Sequence, residues 1–99
     1  MKNYINVLNK SFESRIRLGI MSILMVNEWV DFGTLKDMLK ITDGNLASHI
    51  SALEKLEYLK VKKQFVGKKP NTSYLVTRTG KKAFNEHLDG LEILLKSRG

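Results

Sequence analysis

Between residues 11 and 27 the apolar residues Phe12, Ile16, Ile20, Ile23 and Leu24 recur at intervals of three and four. That spacing lines one face of a helix, and Ser11 offers a hydroxyl to cap its start. Arg15 and Arg17 fall off that face. Trp29-Val30-Asp31-Phe32 is too short for a helix and rich in strand formers, so a brief strand or extended link is expected. A short helix is predicted over residues 34–40, with Leu35, Met38 and Leu39 inward and Thr34 and Asp37 at capping-box spacing. Ile41-Thr42-Asp43-Gly44 breaks the pattern and restarts it. Thr42 is the expected N-cap, and Asp43 is favourable in the first turn.

The helix so started runs over residues 43–56. Leu46, Ile50, Leu53 and Leu56 cluster on one side; Gly44, Ser48, Ser51, Ala52 and Lys55 fall opposite, with Asn45 flanking. The outer face is therefore small and polar, without the alternating long charges of a helix that merely meets water. Leu59, Val61, Phe65 and Val66 suggest a strand with Lys60, Lys62 and Lys63 interleaved. Gly67-Lys68-Lys69-Pro70-Asn71 reads as a turn longer than a two-residue hairpin connection, and residues 72–76 return as a second, antiparallel strand. Residues 77–96 form a last helix, with a stripe of Phe84, Leu88, Leu91 and Leu95 broadened by His87 and Leu94.

The order is helix, short strand, helix, helix, strand, loop, strand, helix. A short helix and tight turn feeding a second helix, followed at once by a basic hairpin, is the arrangement of a winged helix-turn-helix. The expected class is α+β, mainly α, with a two-stranded β wing and long terminal helices. One domain spans residues 1–99. It divides into an N-terminal segment and first helix (1–27), the helix-turn-helix with its wing (31–76), and a C-terminal dimerisation helix (77–97).

Composition narrows the function. The chain has 99 residues, enough for one core, and 42% are hydrophobic. It has no cysteine, which removes disulfides and thiolate metal sites and suits a reducing, cytoplasmic setting. No apolar run approaches the ~18–20 residues of a membrane helix, and the N-terminus lacks a signal-peptide pattern. No membrane partner is expected. The net charge of +7 and pI of about 9.8 favour a polyanionic partner, most commonly nucleic acid.

Three constellations carry candidate chemistry. The first is the outer face and N-terminus of the 43–56 helix: Thr42, Asp43, Gly44, Asn45, Ser48, His49, Ser51 and Lys55. N-terminal residues of a recognition helix reach base edges in the major groove; small side chains permit close approach, and Asn45 can pair with adenine. His49 lies at the border of the buried and open faces, where a phosphate contact and simple packing are both open. The second is the wing, with Lys62, Lys63, Lys68, Lys69, Asn71 and Thr72 placed to meet phosphate or minor groove. The alternative is a solvated loop whose lysines protect a sheet edge. The third is the apolar surplus of the terminal segments. Tyr4, Ile5, Leu8, Phe84, Leu88, Leu91, Leu94 and Leu95 exceed what one small core can cover, so a homodimer seam is expected, in keeping with two-fold operators. Trp29, Phe12 and the methionines read as core.

No Ser/His/Asp set, paired carboxylates or Gly-rich phosphate loop stands out, and no catalytic residue is assigned. The two histidines lack ligand-spaced partners, so no metal site or cofactor is expected. Nothing in the chain demands a small-molecule effector.

The string Phe32…Leu35-Lys36…Leu39…Thr42-Asp43-Gly44-Asn45-Leu46…His49-Ile50…Leu53-Glu54, with Arg17-Leu18…Ile20…Ile23-Leu24 before it and Tyr74-Leu75-Val76-Thr77…Gly80 after, resembles the MarR/ArsR-like winged-helix regulators. The match is nearest to small stand-alone members whose turn reads T-D-G-N-L, and it covers residues 14–90. The resemblance implies a homodimeric transcriptional regulator of double-stranded DNA. It places Asn45 and Ser48 at the major groove and makes the Lys68/Lys69 loop the wing. The chain departs from the family pattern at three places. Ser48 stands where arginine is frequent, and Glu57 where a glycine closes the recognition helix. Thr77-Arg78-Thr79-Gly80 stands where T-P-E-G opens the last helix. Against this reading stand a winged helix used for protein–protein contact, which wants anchoring aromatics or arginine on the outer face, and an RNA-binding domain, which wants exposed aromatics such as Phe65 or Tyr74.

Overall fold

A computed structural model describes residues 4–96, apart from the side chains of Tyr4 and Val7. After single 3-10 turns at Tyr4–Val7 and Lys10–Phe12, the elements are α1 (Arg15–Met25), β1 (Val30–Asp31), α2 (Phe32–Leu39), α3 (Asp43–Lys55), β2 (Leu59–Val66), β3 (Lys69–Val76) and α4 (Arg78–Lys96). The sheet is three-stranded and antiparallel in the order β1-β3-β2. The expected two-stranded wing gains a third strand because Val30 and Asp31 pair with Tyr74 and Ser73. The fold is the mainly helical winged helix-turn-helix that the element order implies.

Several element ends differ from expectation, each through a local hydrogen bond. Ser11 does not start α1. Asn9 caps the 3-10 turn instead, its side chain accepting from the Ser11 N–H, and Ser14 caps α1. The break drops Phe12 into the core, edge-on to Phe84 and His87 with ring centroids 5.3 Å away in both cases. α2 begins at Phe32 because the Asp31 carboxylate, not Thr34, is the cap and accepts from the Thr34 N–H at 2.6 Å. Met38 points outward, where it is 56% exposed, and the inner face is left to Leu35 and the half-buried Leu39.

α3 starts as expected, with the Thr42 hydroxyl accepting from the Asn45 N–H at 3.1 Å. Leu46, Ile50 and Leu53 are buried; Leu56 is the C-cap and is exposed. Glu57 takes φ 64°. Tyr58 N–H donates to Leu53 O at 3.0 Å and Glu57 N–H to Glu54 O at 2.9 Å, which is a Schellman ending with glutamate in the left-handed position usually held by glycine.

The hairpin is tighter than its sequence suggests. Val66 pairs with Lys69, leaving only Gly67-Lys68 as the turn. Gly67 has φ +65°, the first-position glycine of a II′ connection. Pro70 lies inside β3, where that strand pairs only with β2, so its missing N–H breaks no central ladder.

α4 is capped by Thr77, whose hydroxyl accepts from the Gly80 N–H at 2.9 Å and donates to Glu57 O at 2.7 Å. Its buried edge runs through Gly80, Phe84, His87 and Gly90, while Leu88, Leu91 and Leu95 of the apolar stripe are exposed. The Tyr4–Val7 turn packs along the same helix. Trp29 is not core either: it is 38% exposed, with the Lys62 ammonium 4.5 Å from its ring centroid.

A Cβ on Gly80 would lie 2.5 Å from the backbone oxygen of Tyr58. Gly80→Ala must therefore push α4 off the α3–β2 junction, and urea unfolding should show a loss of about 1–3 kcal/mol. His87 is buried and its Nδ1 accepts from the Asn9 N–H at 3.0 Å. Burial holds its pKa below 6.5, with Glu13 pulling weakly the other way. The folded state thus disfavours the imidazolium, so this contribution is complete above about pH 6.5 and is lost as pH falls toward the lower folded value. Thermal midpoints taken at about pH 7.5 and 5.5 should fall more for the wild type than for His87→Gln.

Candidate nucleic-acid interface

Capping by Thr42 leaves α3 with an open N-terminus. Thr42, Asp43, Gly44, Asn45, Ser48, Ser51 and Lys55 are all exposed. No atom lies within 4 Å of where a Gly44 Cβ would stand, so the backbone there is open to close approach. Asp43 is paired with Lys36 of α2 at 2.9 Å. Both side chains are well exposed, so the pair contributes little to stability, but it neutralises the acid at the helix start.

His49 is half-buried at the edge of this face. Its Nδ1 accepts from the Arg17 Nε at 3.1 Å, which makes Nε2 the protonated nitrogen of the neutral ring. Burial first, and then the Arg17 charge, hold its pKa below 6.5. The neutral form keeps the Arg17 bond intact. Arg17 was not among the sequence candidates. It stands thirty-two positions before His49, and no local pattern connects the two.

The hairpin's lysines fall into two groups. Lys63, Lys68 and Lys69 are exposed. Lys62 is half-buried over Trp29, so one of the expected wing cations is engaged within the fold. Asn71 and Thr72 are half-buried. Alternation along the strands puts Val61 and Lys63, across from Tyr74 and Thr72, on the inner face. Together with Phe32, Ala47, Ile50 and Glu54 these four line a cleft of about 410 Å³ between α3 and the wing. Burial and then the nearby Glu54 charge push the Tyr74 hydroxyl pKa up; Tyr74 is buried and is no stacking platform.

The expected dimer residues divide. Phe84 is 4% exposed and belongs to the monomer core, since Phe12 covers it. Leu88, Leu91 and Leu95 are exposed, as is Ile5; Leu8 and Leu94 are half-buried. The Tyr4 side chain and residue 97 lie outside the described residues. A second hollow, also about 410 Å³, is lined by Asn6, Glu86, Asp89, Gly90 and Ile93. Among the described residues no group of three or more potential ligands could hold a metal, and no helix is long and apolar enough to cross a membrane.

The profile of the winged helix DNA-binding domain family matches residues 16–95. The protein MJ0432 of Methanocaldococcus jannaschii is 34% identical over 89 residues, covering 90% of this chain and 95% of that protein. A transcriptional regulator homologue from Pyrococcus horikoshii superimposes with a TM-score of 0.85 at 27% identity, over 97% of this chain and 96% of its own. The regulator ZitR of Lactococcus lactis, a zinc-responsive MarR family member, shares the fold at 17% identity and a TM-score of 0.64, over 85% of this chain and 57% of its own. The chain belongs to the winged helix DNA-binding domain family of transcriptional regulators, and its fold is that of the MarR type.

Proposed function

We propose that this protein is a cytoplasmic, homodimeric regulator that lays α3 in the major groove of duplex DNA and sets its lysine wing on the flanking backbone or minor groove. The observation that carries the reading is the pairing of an open, small-residue face at the start of α3 with an acid-free hairpin. Residues 58–85 hold eight lysines and arginines and no Asp or Glu. Counterion release then supplies most of the affinity. Asn45 and Ser48 read base edges, and Gly44 lets the helix start come close. A protein-docking role is disfavoured because that face offers no aromatic or arginine anchor.

The exposed Leu88, Leu91 and Leu95, with Leu94 and the Ile5–Leu8 segment beside them, form the seam between two copies. A Leu88→Glu, Leu91→Glu double variant should sediment as a monomer while keeping its helical content. An unchanged dimer would remove α4 from the seam.

With about four phosphates neutralised per protomer, the log–log salt slope of binding should be near −7 for the dimer. No affinity for any duplex at about 50 mM salt would refute the reading. Lys68→Glu with Lys69→Glu should weaken binding to all sequences alike and flatten that slope. Asn45→Ala should cost about 1–3 kcal/mol at one base pair and leave binding to random DNA nearly untouched. Equal losses on selected and random DNA would take Asn45 out of the base-reading set.

A further inference from the structure

The inner face of the hairpin continues beyond the core. Pairing sets Leu59 across from Val76, Val61 from Tyr74, Lys63 from Thr72 and Phe65 from Pro70. At the root this face is buried. Midway it walls the cleft opposite Ala47 and Glu54 of α3. At the tip it carries Phe65, 74% exposed, beside the exposed Pro70. The two line a hollow of about 310 Å³ with Lys63, Gln64, Asn71 and Thr72.

The fold makes no use of this phenylalanine. Gly67 sets the turn, the ladder holds the register, and the core ends two residue pairs earlier, at Tyr74, whose partner Val61 is already exposed. A large aromatic left in water at a hairpin tip also favours self-association, so its presence there calls for an occupant. The surrounding charge says which: Lys63 lines the same hollow, Lys68 and Lys69 follow at the turn, and the nearest acids along the chain are Glu57 and Glu86. An apolar edge framed by cations matches a nucleic-acid groove, with phosphates meeting the lysines and stacked bases meeting the ring.

We propose that Phe65, braced by Pro70, is a wedge that the wing drives into the minor groove, parting a base step and bending the DNA. The inference rests on the hairpin being the DNA-binding wing, and it adds a source of specificity that needs no base hydrogen bond. Pyrimidine–purine steps, which unstack most easily, should be preferred beneath the wing.

The test uses the full chain and a duplex selected by the wild type from a random pool. Bending is read by energy transfer between end labels, and affinity by titration at several salt concentrations. The wild type should bend the duplex. Phe65→Ala should bind about tenfold or more weakly and lose most of the bend. Its salt slope should be unchanged, because no phosphate contact is removed. Phe65→Leu, which keeps an apolar wedge, should retain most of the bend. Lys68→Glu with Lys69→Glu should do the reverse of Phe65→Ala, flattening the salt slope. Unchanged bend and affinity in Phe65→Ala would overturn the wedge and leave the wing reading standing. So would a change in oligomeric state without loss of DNA binding, or a loss confined to single-stranded RNA. A wild type that binds no duplex would overturn both.

Discussion

The arrangement of α3, the hairpin and α4 hangs on the junction around Glu57 and Tyr58. The Schellman ending of α3 turns the chain there, with Glu57 at positive φ. The two carbonyls that the turn exposes are then taken up by the start of α4: Thr77 N–H donates to Tyr58 O at 2.9 Å and the Thr77 hydroxyl to Glu57 O. Gly80 is what lets the backbones approach this closely. The same Tyr58 receives the Asn9 amide at 3.1 Å on its hydroxyl and packs its ring on Phe12. One corner thereby fixes the end of α3, the root of the hairpin, the start of the last helix and the path of the N-terminal segment.

From that corner the working surfaces diverge. α3 presents its small polar face outward because its opposite face, Leu46, Ile50 and Leu53, is buried. The hairpin leaves at a set angle because its root strands are in the sheet and Leu59, Tyr74 and Val76 are core. Charge is segregated along the chain to match. The wing and the first two turns of α4 are free of acids, while the rest of α4 carries Glu86, Asp89 and Glu92. Surplus positive charge in one stretch and a neutral to acidic tail in another is the kind of distribution that steers a protein toward a polyanion.

α4 divides its own circumference. Small or aromatic residues at Gly80, Phe84, His87 and Gly90 face the domain, whereas Leu88, Leu91 and Leu95 face away. His87 shows how tightly the first side is used, since it accepts a backbone hydrogen bond from Asn9 and stacks edge-on to Phe12. Among the described residues the outward Leu88, Leu91 and Leu95 stay exposed.

The sequence alone determined the kind and order of the elements, because each has a local cause. These are the apolar period of α1 and α3, the Thr42 and Thr77 hydroxyls at helix starts, and the β-branched and aromatic run that returns the hairpin. It also showed the acid-free lysine stretch and the small outer face of α3, which need no coordinates to be read. Tertiary structure decided what depends on residues far apart in the chain. Val30 and Asp31 became a third strand only by pairing with Tyr74 and Ser73. Trp29 lies at the surface with Lys62 of the wing over its ring, and His49 met Arg17 only through packing of α1 on α3. The inward edge of α4 is set by the approach of Gly80 to Tyr58 and of Phe12 to Phe84 and His87. Hydropathy along one helix ranks faces by apolar content and cannot show which of two apolar edges the rest of the chain will reach.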